Sequence, residues 1–456
     1  MHPMVRRRLA LPVALLLAAA AGAQPARSLT HRVWLLAGIP DDATLGALRT
    51  AGVDALVLPV GRVELSGASS RLTLMPLPAL GPLSGWPVTA LVWVQGSGQA
   101  SGDAGALVDQ LTPVLREVHG GAGLVLASRR FFPGFVPFAS RVAARLGQRV
   151  EVALPAADLA QHVPAGGWPR LGVVAVAFGN PTALGFPPST LQDDLTALDA
   201  LDGSQVAYRA AIVVEPRSEP APGAAGVSLT LVAGAETATY TPGERGDDFK
   251  LHRPVDWGGV PVAAGQTITV EVVDTARYHR DLGLLLRPVR PRLDGWDTAG
   301  LPRPEPALGM SREALLDYLR GGSPYPRPSV ELEWAGPTAV RVALANPTAQ
   351  TSAIATTGNW VELRFSGTEV RDVQLGDFAG MEYGRIAEDG VWHRTVARDA
   401  SALRLYLALL PPRARVGGAL VTFLTRPREV RSRWRVRLGD GGDVTGRFEA
   451  ASVTTR

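Results

Sequence analysis

The spacing of apolar and polar positions is most informative between residues 123 and 157. A short apolar run at 123–128 leads into helical spacing at Phe135, Phe138, Val142 and Leu146, and a second apolar run follows at 150–156. Strand, helix and strand at that pitch predict a βαβ unit. Its strands are buried on both faces only if further units flank it.

The same rhythm extends in both directions. From residue 31 the chain reads VWLLAG, then PDDATLGALRTAG, then DALVLPV, with Asp41 or Asp42 placed to cap a helix and Gly52 to end it. Further buried strands are predicted at 86–94, 171–180 and 206–216, with helices at 104–119 and 189–201. Seven or eight such repeats argue for an α/β chain closed as a (β/α)8, TIM-like barrel. Residues 217–267, rich in Gly, Pro and Thr, read as a β-rich insertion with a hairpin around 228–240. An apolar run at 268–274, a helix at 278–286 and a last run at 293–302 resume the rhythm. Counted strictly, this gives one strand more than eight. A helix at 311–319, capped by Ser311, closes the region, and 323–328 reads as a linker. From Ser329 only the period of strands remains, in VELEW, AVRVALANP, WVELRF, LRLYLALL, ALVTFL and RWRVRL, with DGGD as a hairpin turn. Short strands at that density predict an all-β, immunoglobulin-like sandwich over 329–456.

Composition narrows the classes. Arg6-Arg7-Arg8, the apolar run 9–21 and Ala-Gly-Ala ending at Ala23 form a signal-peptide pattern over 1–23. This predicts an exported (periplasmic or extracellular) protein with the barrel at 24–322 and no membrane span after cleavage. There is no cysteine, so disulfides, thiolate catalysis and cysteine–zinc sites are excluded. Lys250 is the single lysine among 46 basic residues, and the net charge is +4. No tract interleaves basic and aromatic residues over a nucleic-acid-sized patch, so nucleic acid is not an expected partner. The seven histidines show no metal-ligand spacing, and there is no G-x-S-x-G, P-loop or dinucleotide fingerprint. No metal and no cofactor are therefore expected. Oligomeric state is left open.

The opening VWLLAGIPDD, the stretch GLVLAS…FASRVAARLGQRVEVALPAADL and the segment RYHRDLGLLLRPVRPRLDGWDTAGLP together carry a resemblance. Over about 31–302 the chain resembles a family of exported bacterial proteins that look like glycoside-hydrolase (β/α)8 barrels, often followed by a small β-sandwich. The resemblance implies a barrel of glycosidase type and an Asp-x-Asp acidic pair ending the fourth strand. Here those positions read Ala127-Ser128-Arg129, and both carboxylates are missing.

Glycosidic hydrolysis needs two carboxyl groups about 5–10 Å apart, held in a barrel at the C-terminal ends of strands. Glu215, Asp274 and Asp297 are the catalytic candidates so placed, and Glu64 follows the second strand less directly. The alternative for each is an ordinary carboxylate at a strand end. Glu271 lies inside an apolar run and, if buried, needs a partner such as an arginine. Trp34 and Trp93 are candidate platforms for a sugar ring, or core packing. Arg129 and Arg130 are placed to hold an anionic group such as a uronate or phosphate, or lie in a solvated loop. In the sandwich Arg431, Arg433, Arg435 and Arg437 alternate onto one face, which reads as an edge strand or as a strip for acidic polysaccharide. Three functions follow. The first is an exported carbohydrate- or envelope-binding protein on a degenerate barrel. The second is a glycoside hydrolase with non-standard carboxylates, and the third a structural or assembly protein of the envelope.

Overall fold

The computed structural model describes residues 29–450 apart from 77–79, 119–122, 221–236, 244–245, 288–289, 305–308, 356, 389 and 448. The segment expected to be a signal peptide lies outside them, as does most of the 228–240 hairpin. Eight parallel strands close a barrel: β1 (Thr30–Trp34), β2 (Ala55–Ser66), β3 (Val88–Gln95), β4 (Leu124–Ala127), β5 (Val150–Pro155), β6 (Leu171–Gly179), β7 (Tyr208–Val213) and β8 (Leu293–Ala299). Each pairs in parallel with the next, and β8 pairs with β1 to close the ring.

The helices form where the sequence supplies caps. Helix α1 (Asp42–Thr50) is capped by Asp41, whose carboxylate accepts from the Thr44 amide at 2.7 Å. Helices α2 (Ala104–Glu117) and α3 (Phe135–Leu146) follow; α3 buries Phe135, Phe138 and Val142 and ends at Gly147. Next come α4 (Ala156–His162) and α5 (Leu191–Gly203), the latter opened by a Thr190–Asp193 capping box. Helix α6 (Thr275–Leu286) is capped by Asp274 and α7 (Arg312–Leu319) by Ser311. Between strands and helices lies the larger core. A second apolar cluster fills the barrel, with Trp34, Val57, Leu91, Val125, Val174 and Val213 among its members.

The surplus strand of the sequence reading has a different home. Thr267–Glu271 pairs antiparallel with Asp247–Leu251 and Arg217–Glu219, in a four-stranded sheet completed by Ala238–Pro242. Its burial alternates, with Ile268 and Val270 inward. That is the signature of a one-sided strand, not of a barrel strand buried on both faces. The insertion therefore runs to residue 271 and stands between β7 and α6, at the barrel's C-terminal end.

Beyond α7 two antiparallel sheets face each other. One contains Ser329–Gly336, Ala339–Ala345, Arg415–Phe423 and Val370–Gln374. The other contains Trp392–Arg394, Gly380–Ile386, Ala402–Leu407, Asn359–Ser366, Glu429–Arg437 and Asp443–Thr445. Val340, Val342, Val361, Leu363, Leu405 and Val421 form their shared core. The arginine-rich Glu429–Arg437 is not an edge strand. Asn359–Ser366 pairs on one side of it, and Asp443–Thr445 with Glu449–Ala450 on the other.

The sandwich docks on the insertion and on α6. The Tyr240 hydroxyl bonds the Ile354 carbonyl at 3.1 Å, and the Gly439 amide donates to Asp274 at 2.8 Å. Together these parts enclose a cavity of about 100 Å³ lined in part by Asp247, Asp274, Arg277 and Arg437. Burial raises Asp247 to about 6 against the opposing pull of the Tyr240 hydroxyl and the Gly243 amide. Between pH ~4 and ~6 the folded chain thus holds a proton that the unfolded chain has released, so this group lowers stability as pH rises through that window. Asp247→Asn is expected to remove the loss. Urea midpoints at pH 4 and pH 6.5 should converge in the variant relative to wild type, and an unchanged gap would contradict the assignment.

Candidate functional site

The C-terminal mouth of the barrel is shaped by the end of β6. Phe178 (φ 53°) and Gly179 (φ 63°) both adopt left-handed backbone there, and the register with β7 shifts. A Cβ at Gly179 would stand 2.0 Å from the Val213 carbonyl oxygen, so only glycine fits. Neighbouring helices fix this corner. The Phe178 amide donates to Asp194 at 2.7 Å, the Gly179 amide donates to Asp281 at 2.9 Å, and Arg277 donates to the Gly179 carbonyl at 2.8 Å.

The corner aims the following turn back over the barrel. Phe186, 3% exposed, joins the inner cluster and packs against Trp93 at 5.9 Å. The chain's own side chain thus plugs the mouth. Asn180 lies buried beside the plug and donates to the carbonyls of Glu215 (3.1 Å) and Glu271 (3.5 Å). The Thr182 hydroxyl contacts Asn180 Oδ1 at 2.7 Å and also the Glu271 carboxylate.

The three predicted catalytic carboxylates occupy separate settings. Asp297 is 0% exposed and points into the barrel beneath the plug. Arg32 binds it through Nε (2.9 Å) and Nη2 (2.8 Å), Arg209 through Nε (2.8 Å) and Trp34 through Nε1 (2.9 Å). Burial alone would raise its pKa, but Arg32 and Arg209 outweigh burial and hold it at about 2. Arg32 also pairs with Glu151 at 2.6 Å. Asp274 is the buried cap of α6, bonded to the Arg277 and Gly439 amides, and burial raises its pKa. Glu215 stands two residues past β7, half-buried against Gly300, where a Cβ would approach its Oε1 to 2.7 Å. Burial raises its pKa and Arg303 opposes the rise. Of the three, Glu215 has the setting of a general acid.

The predicted binding residues divide likewise. Trp34 is fully buried and committed to Asp297, so it offers no ring face to a sugar. Trp93 is partly buried beneath Phe186. Arg129 and Arg130 are exposed and share an open cleft of about 440 Å³ with Gln95, Ser128 and Phe186. The Ser128 hydroxyl bonds the Arg130 carbonyl, and Asp158 accepts from the Phe131 amide, which pins the loop. Glu215 does not line this cleft. Glu64 is exposed on β2. Among the described residues no group of three or more His, Asp or Glu could hold a metal. No helix among them is long and apolar enough to cross a membrane.

Sequence reading missed Asn180 and Thr182. Their only signal was a Gly-Asn-Pro turn at the end of an apolar run. For Glu271 the expected arginine partner is replaced by Thr182.

Solved structures resemble this architecture at a distance. The likeness is one of fold alone. The spore cortex-lytic enzyme SleL of Bacillus megaterium QM B1551 is 12% identical, with a TM-score of 0.42 over 65% of this chain and 75% of that one. Chitinase ChiW of Paenibacillus sp. FPU-7 is 10% identical, with a TM-score of 0.39 over 93% of this chain and 56% of that one. The family 30 subfamily 8 glycoside hydrolase Xyn30A, a xylanase of Clostridium acetobutylicum, is 10% identical, with a TM-score of 0.31 over 87% and 95%. No protein-family model and no curated protein matches the chain.

Proposed function

We propose that this is an exported protein that binds an anionic glycan at the mouth of a degenerate glycosidase-like barrel without cutting it. The observation that carries the reading is the plug: Phe186 fills the opening where a sugar would enter, and the buried Asp297 below it is saturated by Arg32, Arg209 and Trp34. What the rim offers a ligand is the paired guanidiniums of Arg129 and Arg130 in an open cleft. Guanidinium forks suit uronate carboxylates. Export rests on the basic, apolar and small-residue pattern of residues 1–23.

A second reading, hydrolysis, has its own support. Glu215 is a carboxyl with a raised pKa at a strand end, and Asn180 ties its backbone to that of Glu271. Polygalacturonate tests the mouth as the binding site. Wild type is expected to be retarded in a polygalacturonate gel and Arg129→Ala/Arg130→Ala to be retarded clearly less at unchanged unfolding midpoint, because exposed arginines contribute little to stability. Equal retardation of both proteins would remove the mouth from the account.

A further inference from the structure

We propose that the outer face of the sheet containing Asn359–Ser366, Ala402–Leu407 and Glu429–Arg437 is a second binding surface, for an acidic polysaccharide chain. It is separate from the mouth cleft and does not depend on it. Strand alternation sends Val361, Leu363, Leu403, Leu405, Val430 and Val436 into the sandwich core. The intervening positions put Trp360, Glu362, Arg364, Arg404, Arg431, Arg433 and Arg435 on the other face.

One carboxylate gathers three of these arginines. Glu362, 0% exposed, accepts from Arg364 Nε at 2.9 Å, from Arg404 Nη2 at 2.9 Å and from Arg433 Nη2 at 3.0 Å. Aromatic rings hold the cations in place as well. The Arg404 guanidinium lies 4.5 Å from the Trp360 ring and 4.0 Å from the Trp392 ring, and that of Arg433 lies 5.4 Å from Trp360. Arg431 stands directly across from Arg364 in the strand register, a like-charge pairing that opposes sheet stability. Six arginines, counting Arg394 beside Glu382, meet four carboxylates: Glu362, Glu382, Glu429 and Asp443. Five of the six guanidinium arms stay open to solvent, with side-chain exposures of 30% at Arg364 and Arg433, 36% at Arg435, 56% at Arg431 and 82% at Arg394.

The geometry points to a polyanion rather than a small anion. Alternate residues of one strand repeat about every 7 Å and neighbouring strands about every 4.8 Å, so the guanidiniums form a lattice that a chain of regularly spaced carboxylates can follow. Nucleic acid is the poorer match, because single strands are held largely by stacking on open aromatic faces. Here Arg404 and Arg433 already lie on Trp360, and Trp360 is 5% exposed.

The test is calorimetric titration of the full chain with polygalacturonate and, separately, with a single-stranded oligonucleotide. Arg431→Ala/Arg435→Ala is expected to weaken polygalacturonate binding about tenfold and to reduce its salt dependence, at an unchanged unfolding midpoint. Should the alanine pair loosen the strand, Arg431→Gln/Arg435→Gln gives the same readout. Wild-type affinity in the variant, or no binding by wild type, overturns the proposal. Tighter binding of the oligonucleotide overturns the choice of ligand. The pair Arg129→Ala/Arg130→Ala tells the two surfaces apart. If it retains full affinity while Arg431→Ala/Arg435→Ala loses it, the sheet surface stands and the mouth reading falls, and the reverse pattern does the opposite.

Discussion

Asp297→Ala is expected to destabilise the barrel by about 3–5 kcal/mol, the usual cost of removing one partner from a buried ion pair. The cost is large because Arg32 and Arg209, both nearly buried, would face each other inside the barrel with only Glu151, bound to Arg32, as counter-charge. Asp297→Asn keeps one acceptor for Trp34 but not the charge, so it should lie close to the alanine variant. Urea unfolding measures both, and a midpoint equal to wild type would contradict the structural role. The sign with pH is also set. A carboxylate held at about 2 contributes stability above pH ~4 that is lost as pH falls through its folded value. Acid unfolding of wild type should therefore be steeper than that of Asp297→Asn.

Phe186→Ala comes next, at about 3–5 kcal/mol for a buried phenyl ring whose cavity does not collapse. Its neighbours Trp93, Val176 and Val213 sit on β3, β6 and β7, which hydrogen bonding to the ring of strands keeps from closing inward. The variant should lose stability while Arg129 and Arg130 keep their grip on glycan, since both are exposed on the rim outside the plug. A stable Phe186→Ala protein would mean that the ring is not seated in the barrel.

These two residues show where the sequence is legible and where it is not. Doubly buried strands and capped helices announce themselves locally, so β1 through β7 and the change to strands alone beyond Ser329 can be read from apolar spacing. The surplus strand arose because an alternating run, 267–271, resembles a continuous one when Val270, Val272 and Val273 crowd its end. Asp297 is harder. Its position at the last strand was visible, but its partners lie 265 and 88 residues away in the chain, and only closure of the barrel brings them to it. The arginine ladder 431–437 was visible as a period of two, whereas the Glu362 that organises it belongs to another strand. Arg129 and Arg130 were legible as a pair after β4. The plug that leaves them as rim rather than floor comes from a bulge whose glycine is dictated by contact with Val213.

Binding without cleavage is tested most directly by the release of new reducing ends from polygalacturonate by the wild-type chain. Retardation in the gel with reducing ends no higher than a protein-free blank is the result predicted here. Reducing ends that appear with wild type and disappear in both Glu215→Gln and Glu271→Gln would contradict it, and would make Glu215 the acid and Glu271 its partner in a working hydrolase.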